Sequence, residues 1–168
     1  MVTRVINICL LVLSISFNSC GIYSLSGASI SDDVKSVSIK TFENRATLSP
    51  PLLSNKMTEA LKDKFSSETN LISVSDNGDI KFDGHISNYS INPIAIQANE
   101  TASQNRLSIS VKVNFINNLD EESNYKKTFS RYADYDSSID FTNNEESLND
   151  EIITQLIEDI FNEAFTNW

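Results

Sequence analysis

The chain has almost none of the residues from which metal centres and nucleophilic active sites are built: its 168 residues include one histidine and two cysteines. That leaves no material for an imidazole–thiolate metal site or for a Cys-His or Ser-His pair with its supporting groups, and no cofactor is expected. Glycine is equally scarce, with Gly21, Gly27, Gly78 and Gly84 as the four, and their spacing forms no phosphate-cradling loop. Basic side chains number 13 against 23 acidic ones, a formal net charge of −10. Nucleic acid and anionic lipid surfaces are bound by Lys and Arg displacing counterions, so a nucleic-acid partner is not expected. The apolar run Val5 to Phe17 is too short to span a membrane: as a helix it rises roughly 20 Å, against a hydrocarbon core of about 30 Å.

That short run reads instead as an export signal. Arg4 is the sole charge before residue 20, the apolar stretch has the length of a signal-peptide core, and small Ser19 directly precedes Cys20. The segment Ser14-Ile15-Ser16-Phe17-Asn18-Ser19-Cys20-Gly21 resembles a bacterial lipoprotein cleavage site, cut before Cys20. The alternative is an ordinary secretory signal followed by an incidental cysteine. Cys9 would leave with the signal, so Cys20 has no partner for an intrachain disulfide, and acylation accounts for the unpaired thiol. Each buried methylene contributes about 0.8 kcal/mol, and two or more acyl chains hold stably where one holds marginally. The expected organisation is a signal peptide over 1–19, a lipidated tether over 20–33 and one domain over 34–168. Removing 1–19 leaves 149 residues (168 less 19) with 12 basic and 23 acidic side chains, about 11 net negative charges.

In the tether, Ile22, Tyr23, Leu25 and Ile30 are expected to dock on the domain. Val37, Ile39 and Thr41 then alternate with Ser38, Lys40 and Phe42 as a strand. Ser49-Pro50-Pro51 predicts a helix start with a hydroxyl cap, and Leu53, Met57, Ala60, Leu61 and Phe65 mark its apolar face. After an Asp76-Asn77-Gly78-Asp79 turn, Ile80, Phe82, Gly84 and Ile86 share one face of a long strand. The apolar parity then shifts to Tyr89 and Ile91, which requires either a bulge near Asn88 or burial of both faces. Pro93 is expected to end regular pairing, and Ile94 to Gln104 to form a loop. The cleanest alternation follows, with Leu107, Ile109, Val111, Val113 and Phe115 apolar and Ser108, Ser110, Lys112 and Asn114 polar. A turn over Asn117 to Asn124 leads to a fourth strand over Tyr125 to Tyr132, paired as a hairpin with the third. Thr142 and Glu145 have capping-box spacing. Leu148, Ile152, Ile153, Leu156, Ile157, Ile160, Phe161, Ala164 and Phe165 make a stripe broad enough to bury a terminal helix against a sheet. The order β-α-β-β-β-α predicts an α+β fold, a two-layer α/β sandwich of two helices on a four-stranded sheet.

No constellation predicts catalysis, and the chain is not expected to be an enzyme. His85 falls on the polar face of its strand, which suits a solvated residue better than a catalytic one. The Asp134-Tyr135-Asp136 and Glu145-Glu146 clusters lack the glycine and ligand spacing of a calcium loop, and read as solvated or helix-capping carboxylates, with no metal expected. The basic residues Lys81, Arg106, Lys112, Lys126, Lys127 and Arg131 lie in or beside three strands. Lys112, Lys126 and Thr128 have polar-face parity. These residues suit either cross-strand pairing and edge protection or a small cationic ligand face.

Five stretches in this order carry a family resemblance: Cys20-Gly21-Ile22-Tyr23-Ser24-Leu25, Thr58-Glu59-Ala60-Leu61-Lys62-Asp63-Lys64-Phe65, Phe82-Asp83-Gly84-His85-Ile86, Asn105 to Val113, and Ile160 to Trp168. Together they resemble the LPS-assembly lipoprotein family, LptE. The resemblance implies a lipid-anchored protein of the cell outer membrane, with its domain on the periplasmic side or inside the lumen of the large β-barrel LptD. There it would plug the barrel, help it assemble and assist delivery of lipopolysaccharide to the outer leaflet. It also implies lipopolysaccharide contact through basic residues of the sheet, for which Arg106 and Lys112 are the first candidates and Lys126 and Arg131 the next. The rival readings are a pilot lipoprotein for another outer-membrane complex and an exported envelope enzyme.

Overall fold

Alternating side chains build a sheet whose apolar face is roofed by two helices. The computed structural model describes residues 31–94 and 104–166. The export segment, Cys20, the docking residues of the tether and residues 95–103 of the expected loop lie outside the described residues. The described residues form six strands: β1 (Ser36–Ile39), β2 (Glu43–Asn44), β3 (Ile72–Val74), β4 (Ile80–Ile94), β5 (Gln104–Asn117) and β6 (Tyr125–Asp136). The helices are α1 (Leu53–Glu68) and α2 (Phe141–Thr166). Sheet order is β3-β1-β4-β5-β6, with the two-residue β2 also paired to β4. The α+β sandwich is therefore as expected, with the four expected strands joined by β2 and β3, each too short to carry an alternation pattern.

The long strands pair antiparallel, β4 with β5 and β5 with β6. The register of β4 slips between Ile86 and Asn88. This is the bulge that the parity shift required, and it returns Tyr89 to the buried face, where it is 5% exposed. Pro93 does not end the ladder: it stands opposite Asn105, and pairing runs on to Ile94 and Gln104. Beyond Ile86 the other side of β4 has no partner among the described residues, and a proline's missing N–H costs nothing on an open edge.

β1 and β2 lie end to end along β4, each parallel to it. Between them the chain leaves the sheet, which reverses the expected sides: Phe42 is buried and Thr41 exposed. The Phe42 ring lies over Gly84, where an added Cβ would meet that ring and the Lys112 carbonyl. Its amide donates to Thr58 Oγ1 (3.0 Å), whose hydroxyl donates in turn to the Ser54 carbonyl (2.7 Å). Residues 75–79 connect β3 to β4 across β1. There the Gly78 backbone runs so close that a Cβ would come within 2.6 Å of the Ser38 nitrogen. Asn77 takes the left-handed conformation (φ 55°) that makes the turn. Asp79 Oδ2 accepts from the amides of Lys35 and Ser36 (both 2.9 Å) and from Ser36 Oγ (2.8 Å). These bonds, the Lys35 amide first, hold its carboxyl below the usual range.

All nine apolar residues of the α2 stripe are buried. α1 and α2 run side by side in the same direction, as Lys56 pairs with Asp150 and Lys64 Nζ with Glu158 (2.6 Å). Phe65 of α1 is the centre of the core, with ring centroids 5.1 Å from Phe82 and 5.2 Å from Phe161. The helix caps differ from expectation. Pro50 to Leu52 form a separate turn, so α1 starts later, Leu52 occupies its cap without a side-chain bond, and Ser49 Oγ is buried without a partner. The first helical amide, that of Leu53, is satisfied by the Pro50 carbonyl of that turn (3.1 Å) and needs no hydroxyl cap. At α2 the cap is Asp140, which accepts from the Thr142 amide (3.0 Å), while Glu145 accepts from Tyr89 Oη (2.8 Å). A carboxylate two residues earlier takes the role expected of Thr142. No helix of the described residues is long and apolar enough to cross a membrane.

Candidate functional site

With both helices on one side, the other face of β4, β5 and β6 is left open. The inner face is set by Ile80, Phe82, Ile86, Leu107, Ile109, Val111, Val113, Phe115 and Phe129, all buried. Period-two alternation then forces their neighbours outward. Register places His85, Lys112 and Thr128 in one cross-strand row and Asp83, Asn114 and Lys126 in the next. Lys112 and Lys126 are thus diagonal neighbours on adjacent strands, a relation that separates positions by about 7–8 Å. Lys81 lies on the same face, opposite Ile116.

Lys81, Lys112 and Lys126 make no ion pair among the described residues. Asp83, the carboxylate among them, accepts from Asn114 Nδ2 (2.8 Å). His85 sits between Glu43 and Lys112. Burial first, then the charges of Arg45 and Lys112, hold its imidazole below its ordinary value. A further field of Ser90, Ser108, Ser110, Thr128 and Ser130 keeps the middle of the face low and polar; Ser130 Oγ donates to Ser110 Oγ (2.8 Å). The arrangement can hold anions by charge-assisted hydrogen bonds, and it contains no nucleophile–base pair. No group of three or more His, Cys, Asp or Glu side chains able to hold a metal occurs among the described residues.

The four basic candidates from the sequence separate into two classes. Lys112 and Lys126 share the open face, and their ammonium groups make no ion pair among the described residues. Arg106 is on that face too, at its far end, but it is committed to Asp134 by two bonds (2.7 and 2.8 Å) and its guanidinium stacks 3.6 Å from the Tyr132 ring. The pair raises the arginine and lowers the carboxyl. Arg131 points to the helix side, where it holds Asp159 of α2 with two bonds of 2.6 Å. Lys127 also points to the helix side and pairs with Glu163 through one contact (2.6 Å). Lys81 belongs with Lys112 and Lys126. The alternation Ile80, Phe82, Ile86 already put it on the polar side, and the strand pairing brings it into the group.

Residues 34–164 match the model of the LptE family, described as lipopolysaccharide-assembly. Two solved structures share the fold. A minor lipoprotein from Acinetobacter baumannii superposes with a TM-score of 0.54 at 12% identity, covering 80% of this chain and 95% of that one. A hypothetical protein from Chlamydia trachomatis superposes with a TM-score of 0.53 at 11% identity, covering 78% and 98%. No curated protein matches the sequence significantly.

Proposed function

The chain belongs to the LptE lipopolysaccharide-assembly family, a family of assembly lipoproteins rather than of enzymes, and from this premise we propose that it works as the lipoprotein partner of an LptD-type outer-membrane barrel. In this reading residues 1–19 are removed, Cys20 is acylated, 20–33 form the tether, and the domain beginning at residue 34 is held at the periplasmic side of the outer membrane or within the barrel lumen. The domain plugs the barrel, supports its assembly and assists delivery of lipopolysaccharide to the outer leaflet.

The observation that carries the ligand part is the open sheet face with three lysines that make no ion pair among the described residues. Lipid A and core phosphates are anionic, and Lys112, Lys126 and Lys81 stand on rigid strands as donors for them. The protein's overall negative charge opposes such binding at long range, so recognition acts through short contacts. Arg106 and Arg131 take no part in this proposal, since each is held by a carboxylate.

Crosslinking in the native membrane from position 128, beside Lys112 on the open face, tests the partner. The expected product joins this chain to an outer-membrane β-barrel of the lipopolysaccharide pathway. Products with a different outer-membrane multimer would establish the pilot reading instead. Cys20→Ala is expected to leave uncleaved or soluble periplasmic protein; normal maturation and outer-membrane retention of that variant would refute the anchor.

A further inference from the structure

Beyond the carboxyl ends of the parallel strands β1 and β3 lies a second place with unused binding capacity, away from the open face. It is an open recess of about 440 Å³. Ile39 and Val74 give it an apolar wall, and Lys40, Thr41, Lys62, Ser73 and Ser75 supply its polar groups. The side chains of Lys40, Thr41, Ser73 and Ser75 have no intramolecular partner among the described residues. Lys62 is held by Glu59 at 2.9 Å, an exposed pair one helical turn away, which water and salt weaken.

Three features distinguish this recess from a scatter of surface residues. It sits beyond the carboxyl ends of the adjacent parallel strands of one strand–helix–strand unit, where β1, β3 and Lys62 of the connecting helix meet. Its ionic groups are two ammoniums against the one carboxylate on Lys62, in a chain whose net charge is −10. Its remaining polar groups are hydroxyls, which can all turn to donate. Two cations with several hydroxyl donors around one recess suit a tetrahedral anion with three acceptor oxygens and about −1.5 to −2 charges, as a phosphate monoester has at pH 7.

We propose that this recess is a phosphoryl-binding site, with Lys40 and Lys62 as its charge and Thr41, Ser73 and Ser75 as hydroxyl donors. The phosphoryl group comes either from a glycolipid headgroup or from free phosphate. The first source rests on the lipopolysaccharide reading above, and the second does not. In the headgroup case the recess and the open sheet face engage separate phosphates of an extended ligand.

The test uses the full mature lipoprotein in detergent, titrated with inorganic phosphate and with vesicles containing lipopolysaccharide or its dephosphorylated form. Lys40→Glu and Lys62→Glu are each expected to weaken phosphoryl binding by at least about tenfold, the loss of one charge-assisted contact. Lys40→Arg should retain it, and Glu59→Gln, which frees Lys62, should strengthen it several-fold. Unchanged melting temperatures show that the exposed substitutions leave the fold intact. Binding of free phosphate identifies one source, and binding only of phosphorylated vesicles the other. A wild-type protein that binds neither, or a Lys40→Glu/Lys62→Glu protein that binds as the wild type does, overturns the site. If that double variant is unaffected while Lys112→Glu/Lys126→Glu loses lipopolysaccharide, the recess is refuted and the sheet-face reading stands. The reverse result refutes the sheet face and leaves the recess.

Discussion

The two faces of the sheet use their cations differently. On the helix side Arg131 and Lys127 of β6 reach Asp159 and Glu163 of α2, each at 2.6 Å, and clamp the edge strand to the roof. On the open side Lys81, Lys112 and Lys126 make no ion pair among the described residues, whereas Arg106 is paired with Asp134. The first set is explained by the fold. The second contributes no pairing to it, although separating like charges into a carboxylate-rich surface would have been easy in a chain with 23 acidic residues. The difference separates cations that hold the architecture from cations available to a partner, a distinction that composition alone cannot make.

The largest expected effect lies on the covered side. Phe65→Ala removes the ring shared by both helices and the sheet, and should cost about 3–5 kcal/mol in chemical denaturation. Thr128→Ala, on the open face, should change stability by less than about 0.5 kcal/mol. Comparable losses for the two would erase the contrast between the faces. Gly84→Ala comes next. It forces a methyl against the Phe42 ring and the Lys112 carbonyl and should cost about 1–3 kcal/mol as overpacking, read by the same denaturation curves. A neutral result there would mean that Phe42 does not pack as described.

A smaller effect sharpens the account at the start of α2. Asp140→Ala should cost about 1 kcal/mol as a lost cap, and Thr142→Ala only a few tenths, measured by thermal unfolding. The opposite ranking would restore the capping box that the sequence suggested. His85 gives a prediction of direction. Its folded-state value is lowered, so the unfolded chain binds its proton more readily. Its contribution is therefore complete above the ordinary histidine range near pH 6.5 and is lost as pH falls through the window down to the lowered folded value. His85→Gln should flatten that part of the stability–pH curve, and an unchanged slope would place its origin elsewhere.

What the sequence made legible followed from repetition. The alternation of β5 and the stripe of α2 each repeat often enough that packing could not override them, and the parity shift at Asn88 located the bulge. β2 and β3, with two and three residues, are too short for any period and form through pairing with β4 and β1. Phe42 and Thr41 exchanged sides because the chain leaves the sheet after Ile39, which no local pattern records. Ser49 and Thr142 had the right chemistry for caps, but the turn before each helix decided which residue stands at its end.

The site was half legible for a related reason. Parity placed Lys112 and Lys126 on the wet face, whereas Arg131, a candidate for the same ligand, lies on the helix side with Asp159. It could not reveal that Arg106 donates two hydrogen bonds to Asp134, a partner 28 residues away supplied by the β5–β6 register. Nor could it group Lys81 with Lys112, since that needs the pairing of β4 with β5. The recess between β1 and β3 depends on a strand that sequence periodicity does not show.

In the proposed function the cations of the open face that lack an ion pair among the described residues serve an anionic ligand, whereas Arg131 and Lys127 serve the fold. The most direct test of this division measures lipopolysaccharide affinity and melting temperature together for Lys112→Glu/Lys126→Glu and for Arg131→Glu. The first variant should lose at least about tenfold in affinity per contact while melting as the wild type does. The second should melt lower and, once folded, bind as the wild type does. Wild-type affinity in the Lys112→Glu/Lys126→Glu protein, or a lowered melting temperature equal to that of Arg131→Glu, would contradict the account.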